Sequence, residues 1–312
     1  MISIIICHRN AKLLADVSQN IAQTIGVPHE IVVVDNSENK YGICQAYNFG
    51  ASQSKYEILC FSHEDLLFHT QNWGQKVLQI FENQQIGLLG VIGSCVHPNA
   101  PAAWWDTTKE FVRSRIFQRY ENKNSEEITN NPKNESLSKT VTVDGLWFCC
   151  PKKVWQKNQF DAKTFTEFHL YDHDFALQIF QNYDVCITHE ILIEHFSLGN
   201  LNRSWLENII KFHKKWQKKL PVKTANIDSE KLAQMTFRIT QNFTDRLIAG
   251  NFDKKIVLHY ALKSIFMQPL NRQNRWFMVY LFKQYFPKFY GFLRGMKKLF
   301  LSILIIVFFY ST

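Results

Sequence analysis

The chain of 312 residues is 46% hydrophobic and 14% aromatic, which is enough for one large domain with a smaller appendage. Its net charge of +9 is divided unevenly, because residues 1–200 carry 16 Lys and Arg against 22 Asp and Glu, whereas residues 201–312 carry 20 against 5. The seven cysteines form no CxxC pair, which argues against a disulfide framework and for reduced thiols in a cytosolic compartment.

Apolar runs and helical apolar spacing alternate along the first hundred residues. Residues 2–7 form a continuous apolar run, as expected for a strand buried on both faces, and no basic residues precede it as they would in a signal peptide. Strands and helices that alternate with short connections indicate an α/β protein with a mostly parallel sheet. The predicted strands are 2–7, 31–34, 57–61 and 86–92, and the predicted helices are 11–25, 41–54 and 72–82.

The pattern loosens after residue 120. Residues 121–139 are polar and lack apolar periodicity, so we expect a mobile loop there. Beyond residue 200 the strand signal fades and basic helices are expected. The later predicted strands are 141–149, 185–188 and 191–195, and the later predicted helices are 152–155, 172–182, 205–220, 229–249, 254–267 and 276–286.

The chain ends in an apolar segment, residues 299–310, behind two lysines. A helix needs about 20 apolar residues to span a bilayer, so we expect an in-plane or re-entrant anchor instead of a full span. Together with the charge of residues 201–312, this segment predicts peripheral binding to an anionic membrane surface, at the inner face of the cell membrane. The alternative is a solvated basic face with the apolar segment packed on the rest of the protein.

Three acid-bearing segments stand in a fixed order on this α/β pattern. Segments 30–37 (EIVVVDNS) and 61–65 (FSHED) each run from an apolar strand into acidic residues, and segment 171–174 (YDHD) opens a helix. Open α/β sheets bind ligands at the carboxyl ends of their strands. Acids collected there suit a nucleotide, a divalent metal and a general base, so the sequence points to an enzyme that handles a nucleotide-linked substrate.

The acids after the second and third strands each have two interpretations. Asp35 could accept a hydrogen bond from a base or ribose, or it could shape the turn that follows. Asp65, with Glu64 and His63, could ligate Mg²⁺ or Mn²⁺, which prefer carboxylate oxygen, or these residues could cap a helix. The turn at residues 7–10 (CHRN) is not rich in glycine, which excludes a dinucleotide fingerprint and a P-loop there.

Residues further along the chain could complete a site. Asp172 and Asp174 suit the dipole at a helix start, or one of them could face the pocket as a general base. His195 follows a short apolar strand and could complete a metal site, although a lone histidine is more often structural. Aromatic rings beside acids are common in sugar sites, and core packing is the alternative for each. The tryptophans concerned are Trp104, Trp105, Trp147 and Trp155.

Taken together, these segments resemble GT-A glycosyltransferases of the family 2 type, and most of all the branch typified by the StrF protein of streptomycin biosynthesis. The resemblance covers roughly residues 1–200, as a GT-A catalytic domain, and leaves residues 201–312 as a basic helical region. His63 stands where the family's D-x-D motif has its first acid, and Tyr171 stands where Glu is usual. The similar segments are 3–7 (SIIIC), 30–37, 46–51 (AYNFGA), 63–65, 143–147 (VDGLW), 171–177 (YDHDFAL) and 195–199 (HFSLG).

The resemblance implies a bacterial-type, inverting glycosyltransferase. Such an enzyme would move one sugar from a nucleotide diphosphate sugar to a hydroxyl of a growing lipopolysaccharide- or capsule-type glycan, free or lipid-linked. It implies Asp172 as the catalytic base, and Asp65 with His195 and His63 as ligands to Mn²⁺ or Mg²⁺. The implied nucleotide-binding residues are Cys7, Arg9, Asp35 and Asn48, and the implied donor and acceptor pocket residues are Glu64, Trp104, Trp105, Gly145, Trp147 and Asp174.

Two other functions stay open at this point. The departures at His63 and Tyr171 are compatible with a catalytically silent scaffold for glycan assembly. A basic nucleic-acid-binding module on residues 201–312 would bind RNA or DNA in a salt-sensitive manner. We expect no nucleic-acid partner, because the basic helices precede an apolar terminus.

Overall fold

The computed structural model describes residues 1–120, 123–197, 199, 202–268, 271–288, 290–291 and 294–295. The chain divides into two compact units, Met1–Ile239 and Thr240–Thr312. The first unit carries the sheets. The predicted membrane anchor, residues 299–310, lies outside the described residues. Within the described ranges, no helix has both the length and the apolar character needed to cross a membrane.

The strands include each of the buried runs that the sequence predicts. Ile4, Ile5 and Ile6 in the first strand are 0% exposed, as a strand covered on both faces requires. In the described residues the strands are β1 Ile2–His8, β2 His29–Asp35, β3 Ile58–Ser62, β4 Leu66–Phe68, β5 Ile86–Gly90, β6 Ile92–Ser94, β7 Val96–His97, β8 Val112–Tyr120, β9 Lys123–Asn130, β10 Leu137–Thr140, β11 Trp147–Pro151, β12 Asp184–Thr188, β13 Ile193–His195 and β14 Val222–Lys223.

Some of the helices begin at a residue whose side chain bonds free backbone N–H groups of the first turn, and two of these helices flank the cleft described below. Asn10 Oδ1 accepts from the N–H groups of Lys12 and Leu13, and Asn202 accepts from that of Trp205, as N-cap residues do. The predicted helices are present, with the predicted ends at 229–249 and 254–267 and with shifted ends elsewhere. In the described residues they are α1 Ala11–Thr24, α2 Ile43–Gln53, α3 Trp73–Ile80, α4 Lys152–Lys157, α5 Tyr171–Phe180, α6 Arg203–Trp216, α7 Ser229–Ala249, α8 Lys254–Met267 and α9 Arg272–Tyr285.

The largest sheet of the first unit has seven strands in the order β10-β12-β5-β11-β3-β1-β2. Five of them run in one direction, whereas β11 is antiparallel to both of its neighbours and β10 is antiparallel to β12. The sheet is therefore mostly parallel, as predicted. Because β11 is reversed, its first residue Trp147 pairs with Ser62, the last residue of β3. The loop before β11 thus lies at the same sheet edge as the residues that follow β1 and β3.

A second sheet, in the order β4-β13-β8-β6, places strand β13 beside β4, near the same edge of the seven-stranded sheet. Strand β13 is antiparallel to β4, and His195 lies opposite Leu66. Since residue 65 immediately precedes β4, this register brings His195 beside Asp65. The second sheet therefore joins two predicted metal ligands that are far apart in the sequence.

The predicted mobile loop at residues 121–139 is wrong. Within that range, residues 123–130 form β9, which pairs with β8, and β10 forms the edge of the seven-stranded sheet beside β12. The side chains of residues 124–129 are exposed, so their sequence shows no alternation of apolar and polar residues. Backbone hydrogen bonds to β8 hold β9 in place. The strand predicted at 141–149 is also too long, because β11 begins only at Trp147.

Helices α8 and α9 of the second unit are joined by a buried amide. The Asn274 side chain donates to the carbonyl oxygens of Ser264 and Gln268 at 3.2 and 2.8 Å. On α8, one turn apart, Leu262 and Phe266 are 49% and 80% exposed. The helix therefore presents apolar surface to solvent.

Candidate active site

A cleft of about 1180 Å³ opens at the sheet edge where β1 and β3 end and β11 begins. Strands β3 and β11, helix α5 and the end of β13 converge there, because the parallel strands share their carboxyl edge and the reversed β11 adds its amino end. Ten of the predicted site residues line this cleft: Cys7, Arg9, His63, Glu64, Asp65, Trp104, Trp105, Gly145, Asp172 and His195.

Three of these residues form a group that fits one metal ion. One ligand atom from each of His63, Asp65 and His195 lies within 4.8 Å of the others. The Asp65 carboxylate is 3.9 Å from His63 Nδ1 and 3.6 Å from His195 Nε2. Two imidazole nitrogens and a carboxylate suit Mn²⁺ and its neighbours in the first transition series, and the carboxylate also suits Mg²⁺.

The surroundings of Asp65 keep its carboxylate charged. Burial alone would raise the pKa of Asp65, but the nearby His63 and His195 and a hydrogen bond from Ser197 outweigh burial and lower it. Gln118 Nε2 donates to the carbonyl oxygens of His195 and Ser197. The segment after β13 is therefore fixed where it faces Asp65.

Tyr171 fixes the orientation and the tautomer of His63. The Tyr171 hydroxyl donates to the carbonyl oxygen of Gly145 at 3.1 Å and lies 3.2 Å from His63 Nε2. Because the hydroxyl proton is used on Gly145, His63 Nε2 must carry the proton of the imidazole and donate it to Tyr171. The lone pair is then left on Nδ1, the ring nitrogen that lies near Asp65. Burial also lowers the pKa of His63, which favours the neutral, ligating form.

Asp172 is the carboxylate that opens α5 and faces the cleft, with a side chain 13% exposed. Its Oδ1 accepts from the backbone N–H of His173 at 2.8 Å and lies 3.1 Å from His173 Nδ1. Burial would raise the pKa of Asp172, but the interactions with His173 outweigh it and hold that pKa below its ordinary value. Asp172 is thus ionised and able to accept a proton.

Gly145 is required by the packing of this site. A Cβ at position 145 would lie 2.3 Å from the Tyr171 hydroxyl and 3.3 Å from Asp172 Oδ2. A side chain there would displace the hydroxyl that orients His63. The loop before β11 therefore supplies a carbonyl oxygen that bonds Tyr171. The missing side chain of its glycine leaves room for the Tyr171 hydroxyl and the Asp172 carboxylate.

Three tryptophans line the cleft, and the backbone N–H of one of them, Trp104, bonds the residue next to Asp172, His173. The rings of Trp105 and Trp205 stack with centroids 5.9 Å apart and planes at 17°, and Trp104 meets Trp105 edge to face at 5.2 Å. Trp104 Nε1 donates to Asp144 Oδ2 at 2.7 Å. We call Trp104, Trp105 and Trp205 the tryptophan platform, and rings so fixed can pack against the C–H face of a sugar.

The end of β1 and the start of α1 are tied to the third strand through Glu64. Its carboxylate accepts from the backbone N–H groups of Arg9 and Asn10 at 3.2 and 3.1 Å. The Arg9 side chain is exposed at the cleft. Burial raises the pKa of the Cys7 thiol to about 11, so Cys7 lines the cleft as a neutral group.

The other four predicted site residues lie outside the cleft lining. Asp35 is exposed, and its Oδ1 accepts from the backbone N–H of Ser37 at 2.9 Å. This bond agrees with the alternative in which Asp35 shapes the turn after β2. Asn48 bonds the backbone of Phe160 through both ends of its amide. A nucleotide-binding role for Asp35 and Asn48 stays a prediction.

The remaining two residues are buried. Trp147 is 0% exposed and meets the Trp73 ring in the core. Asp174 is 1% exposed and lies 2.8 Å from both Lys215 Nζ and Trp216 Nε1. In the described structure both contact the protein interior, and their predicted pocket roles are not supported by a contact with the cleft.

Four residues of the site were not predicted from sequence: Asp144, His173, Trp205 and the hydroxyl of Tyr171. In the sequence, Tyr171 is a departure from the family pattern, and His173 stands between two acids without a role of its own. Trp205 begins a basic helix, where an aromatic residue is expected to pack in the core. Nothing in the local sequence indicates that these four residues meet.

The candidate ligands and the ionised carboxylate lie at the carboxyl ends of the parallel strands, where open α/β sheets bind ligands. Residues 3–216 match the model of a glycosyltransferase-like family, so the chain belongs to that family. This match confirms the predicted GT-A fold class and the resemblance to family 2 glycosyltransferases.

No curated protein matches the chain. Among solved structures, it is similar to GalNAc-T7 with UDP, GalNAc and Mn²⁺, at 11% identity and a TM-score of 0.49, over 78% of this chain and 54% of that one. It is also similar to S. aureus TarS (12% identity, TM-score 0.47, 78% and 43%) and to A197 from STIV (11%, 0.38, 63% and 86%). The chain thus spans about half the length of the first of these proteins. Likeness this distant says nothing about the activity of the present chain.

Proposed function

We propose that the protein is an inverting, metal-dependent glycosyltransferase that moves one sugar from a nucleotide diphosphate sugar to a hydroxyl of a growing glycan. The observation that carries this proposal is the pairing, in one cleft, of the His63, Asp65 and His195 group with the ionised Asp172. A site that only bound glycans would have no need of both.

The donor side of the cleft is the part that suits a diphosphate. His63 Nδ1, Asp65 and His195 would hold Mn²⁺ or Mg²⁺, which would offset negative charge on the departing diphosphate. The exposed Arg9 at the end of β1 supplies a second positive charge to the same cleft. Asp35 and Asn48 are proposed to contact the nucleotide.

The acceptor side is the part that suits proton removal. Asp172 Oδ2 takes the proton of the acceptor hydroxyl while the hydroxyl oxygen bonds to the anomeric carbon. The bond between that carbon and the diphosphate oxygen breaks on the opposite face, and its electron pair leaves with the nucleoside diphosphate. A single direct displacement of this kind inverts the anomeric configuration.

The tryptophan platform supports a sugar as the acceptor, because its rings line the cleft and the backbone of Trp104 bonds His173, next to Asp172. We propose a lipid-linked lipopolysaccharide or capsule intermediate, handled at the inner face of the cell membrane. The charge of residues 201–312 and the exposed Leu262 and Phe266 of α8 support an anionic membrane surface as a partner. We also propose that the protein belongs to the StrF-type branch of these glycosyltransferases.

The experiment that tests the function is a panel of nucleotide diphosphate sugars incubated with the full chain in Mn²⁺, in Mg²⁺ and in EDTA. We expect nucleoside diphosphate to be released from one class of donor with metal and not with EDTA. A silent scaffold, with which the departures at His63 and Tyr171 are compatible, would bind donor without turning it over. Release that EDTA does not affect would reject the metal-dependent enzyme.

The matched variant for this panel is Asp65→Ala. Loss of an oxygen ligand should weaken nucleoside diphosphate binding in Mn²⁺, while binding without metal should equal that of the wild type. Calorimetry measures both conditions. Equal weakening with and without metal would mean that Asp65 acts on the fold of the cleft instead.

A further inference from the structure

We propose that His173 is a positioning residue that holds the carboxylate of Asp172 in one orientation, through a tautomer imposed by the backbone of Trp104. The inference rests on the proposed function, since Asp172 matters only where an acceptor proton is removed. It adds a third histidine to the chemistry of the site, on the acceptor side and apart from His63 and His195 of the group that fits a metal.

The tautomer follows from one hydrogen bond. The backbone N–H of Trp104 donates to His173 Nε2 at 3.0 Å, and a backbone N–H can only donate. His173 Nε2 must therefore carry a lone pair, so the proton of the neutral imidazole lies on Nδ1. A second proton on Nε2 would meet the N–H of Trp104, and the ring is 3% exposed, so water cannot compensate.

The orientation of Asp172 follows from the tautomer. His173 Nδ1–H points at Asp172 Oδ1 at 3.1 Å, and the backbone N–H of His173 donates to the same oxygen at 2.8 Å. Both described bonds from His173 thus engage Oδ1. The other oxygen, Oδ2, has no described bond to His173 and lies 3.3 Å from the position that a Cβ at Gly145 would occupy, among the residues that line the cleft. The acceptor proton is therefore taken by Oδ2, while Oδ1 acts as the anchor.

The same imidazole connects the base to the tryptophan platform. Trp104 contributes its backbone N–H to His173, and its indole N–H is fixed on Asp144. The residue that packs against the acceptor and the residue that removes its proton are thus held by one ring. Loss of the ring should change how fast the proton is removed more than how tightly the donor binds.

Two amide variants separate the two bonds of this imidazole. In His173→Asn, the side-chain NH₂ stands near the place of Nδ1 and can still donate to Asp172. In His173→Gln, the side-chain oxygen stands near the place of Nε2 and can still accept from Trp104, but the donor to Asp172 is lost. We expect His173→Gln to lower kcat by up to about 10²-fold with little change in the KM of the donor. We expect His173→Asn to keep most of the wild-type kcat. Both variants should show unfolding midpoints close to each other.

The tautomer has a readout that needs no turnover. Long-range ¹H–¹⁵N correlation spectra of histidine-labelled protein distinguish a protonated Nδ1 from a protonated Nε2, and the signal missing in His173→Gln identifies His173. We expect the Nδ1–H form. An Nε2–H form, or a ring protonated on both nitrogens at neutral pH, overturns the proposal.

The remaining outcomes separate this inference from the proposed function. If the wild type transfers sugar and Asp172→Asn does not, a His173→Gln variant with wild-type kcat overturns the positioning role alone. If His173→Gln and His173→Asn lose kcat equally, the ring acts by filling space and the inference is also wrong. If the wild type turns over no donor in the panel, the proposed function fails, and the positioning role falls with it.

Discussion

At the scale of single residues, the first turn of α5 directs three consecutive side chains to three tasks. Tyr171 bonds His63, Asp172 faces the cleft, and His173 bonds both Asp172 and the backbone of Trp104. The residue before them, Leu170, has a φ of 65°, a left-handed conformation that a residue with a bulky side chain adopts at a cost. The turn is therefore held by the bonds that its side chains make.

Asp172→Asn tests the base directly. The amide cannot accept the acceptor proton, so turnover should fall by about 10²-fold or more, the usual size of a general-base effect. Donor binding, measured by calorimetry, should be unchanged. Asp174→Asn is the comparison, because that carboxyl bonds Lys215 and Trp216 away from the cleft. It should lower the unfolding temperature, and a larger loss of turnover in Asp174→Asn than in Asp172→Asn would move the base to Asp174.

Tyr171→Phe tests the tautomer of His63. Without the hydroxyl, Nε2 loses its partner and the imidazole proton is free to move to Nδ1, where it blocks the lone pair. Mn²⁺ binding should weaken by about 10-fold to 100-fold, as it does when a partner of a metal-ligating histidine is removed. Electron paramagnetic resonance of free Mn²⁺ measures this without any donor.

Tyr47→Phe is the matched control for that experiment. Tyr47 is 0% exposed, its ring lies 5.7 Å from that of Tyr171, and its hydroxyl donates to the carbonyl oxygen of Ser62 at 3.4 Å. The Tyr47→Phe variant removes a buried hydroxyl that bonds the Tyr171 hydroxyl, while the Tyr171 hydroxyl itself stays in place beside His63. Equal Mn²⁺ affinity in the Tyr171 variant and the wild type would show that the tautomer of His63 is set by something else.

At the scale of the elements, α6 is fastened to α5 by one lysine. Lys215 Nζ lies 2.7 Å from Asp161 and 2.8 Å from Asp174, whose carboxylate is 1% exposed. Burial would raise the pKa of Asp161, but its bond to Lys215 and bonds from Thr164 bring that pKa down to about 2. Because Trp205 of the platform lies in the first turn of α6, this fastening also supports the acceptor side of the cleft.

Lys215→Met should therefore destabilise the protein by about 2 kcal/mol, the size of a hydrogen bond to a charged group. A carboxyl with a lowered pKa stabilises the fold above its unfolded pKa and loses that contribution as the pH falls. The part of this stabilisation that comes from Asp161 should be lost between pH 3.8 and about 2. Burial raises the pKa of Asp174, so the part that comes from Asp174 should be lost at higher pH, and the difference between wild type and variant should shrink as the pH falls to about 2. Denaturant unfolding at several pH values measures it. Lys214→Met, on the exposed face of the same helix, is the control and should behave as wild type.

The sequence predicts those strands and helices whose apolar residues form a continuous run or recur at regular spacing. The buried run of β1 and the spacing of α1 depend only on neighbouring residues, so reading them needs no knowledge of the fold. Strand β9 has no such period, because its side chains are exposed on both sides and its partner is another strand. The reversal of β11 also leaves no local mark, although it decides that Gly145 reaches the site.

The same distinction holds for the candidate site. Asp65 and Asp172 could be predicted because each belongs to a segment that resembles a family motif. The contact between His63 and Tyr171, 108 positions apart, could not, since it depends on how β3 and α5 meet across the cleft. The two residues that depart from the family pattern are in contact with each other, so the second departure supplies the partner that the first requires.

At the scale of the whole molecule, charge separates the acidic residues 1–200 from the basic residues 201–312. Polybasic segments gain about 1 kcal/mol for each Lys or Arg close to an anionic surface, and this term is weakened by salt. Exposed apolar side chains such as Leu262 and Phe266, at 49% and 80% exposure, add a term that salt does not weaken. The apolar segment 299–310 would add a second term of that kind.

The full chain should therefore float with vesicles that contain anionic lipid and stay bound through a high-salt wash. Deletion of residues 296–312 should leave binding at low salt that the same wash abolishes, because mainly the electrostatic attraction then remains. Vesicles of neutral lipid are the control, and the truncated chain should not float with them. If the apolar segment instead packs on the rest of the protein, deletion would lower the unfolding temperature and leave vesicle binding unaltered. A full chain that stays in solution with anionic vesicles at low salt would reject the membrane surface as a partner and leave the acceptor as a free glycan.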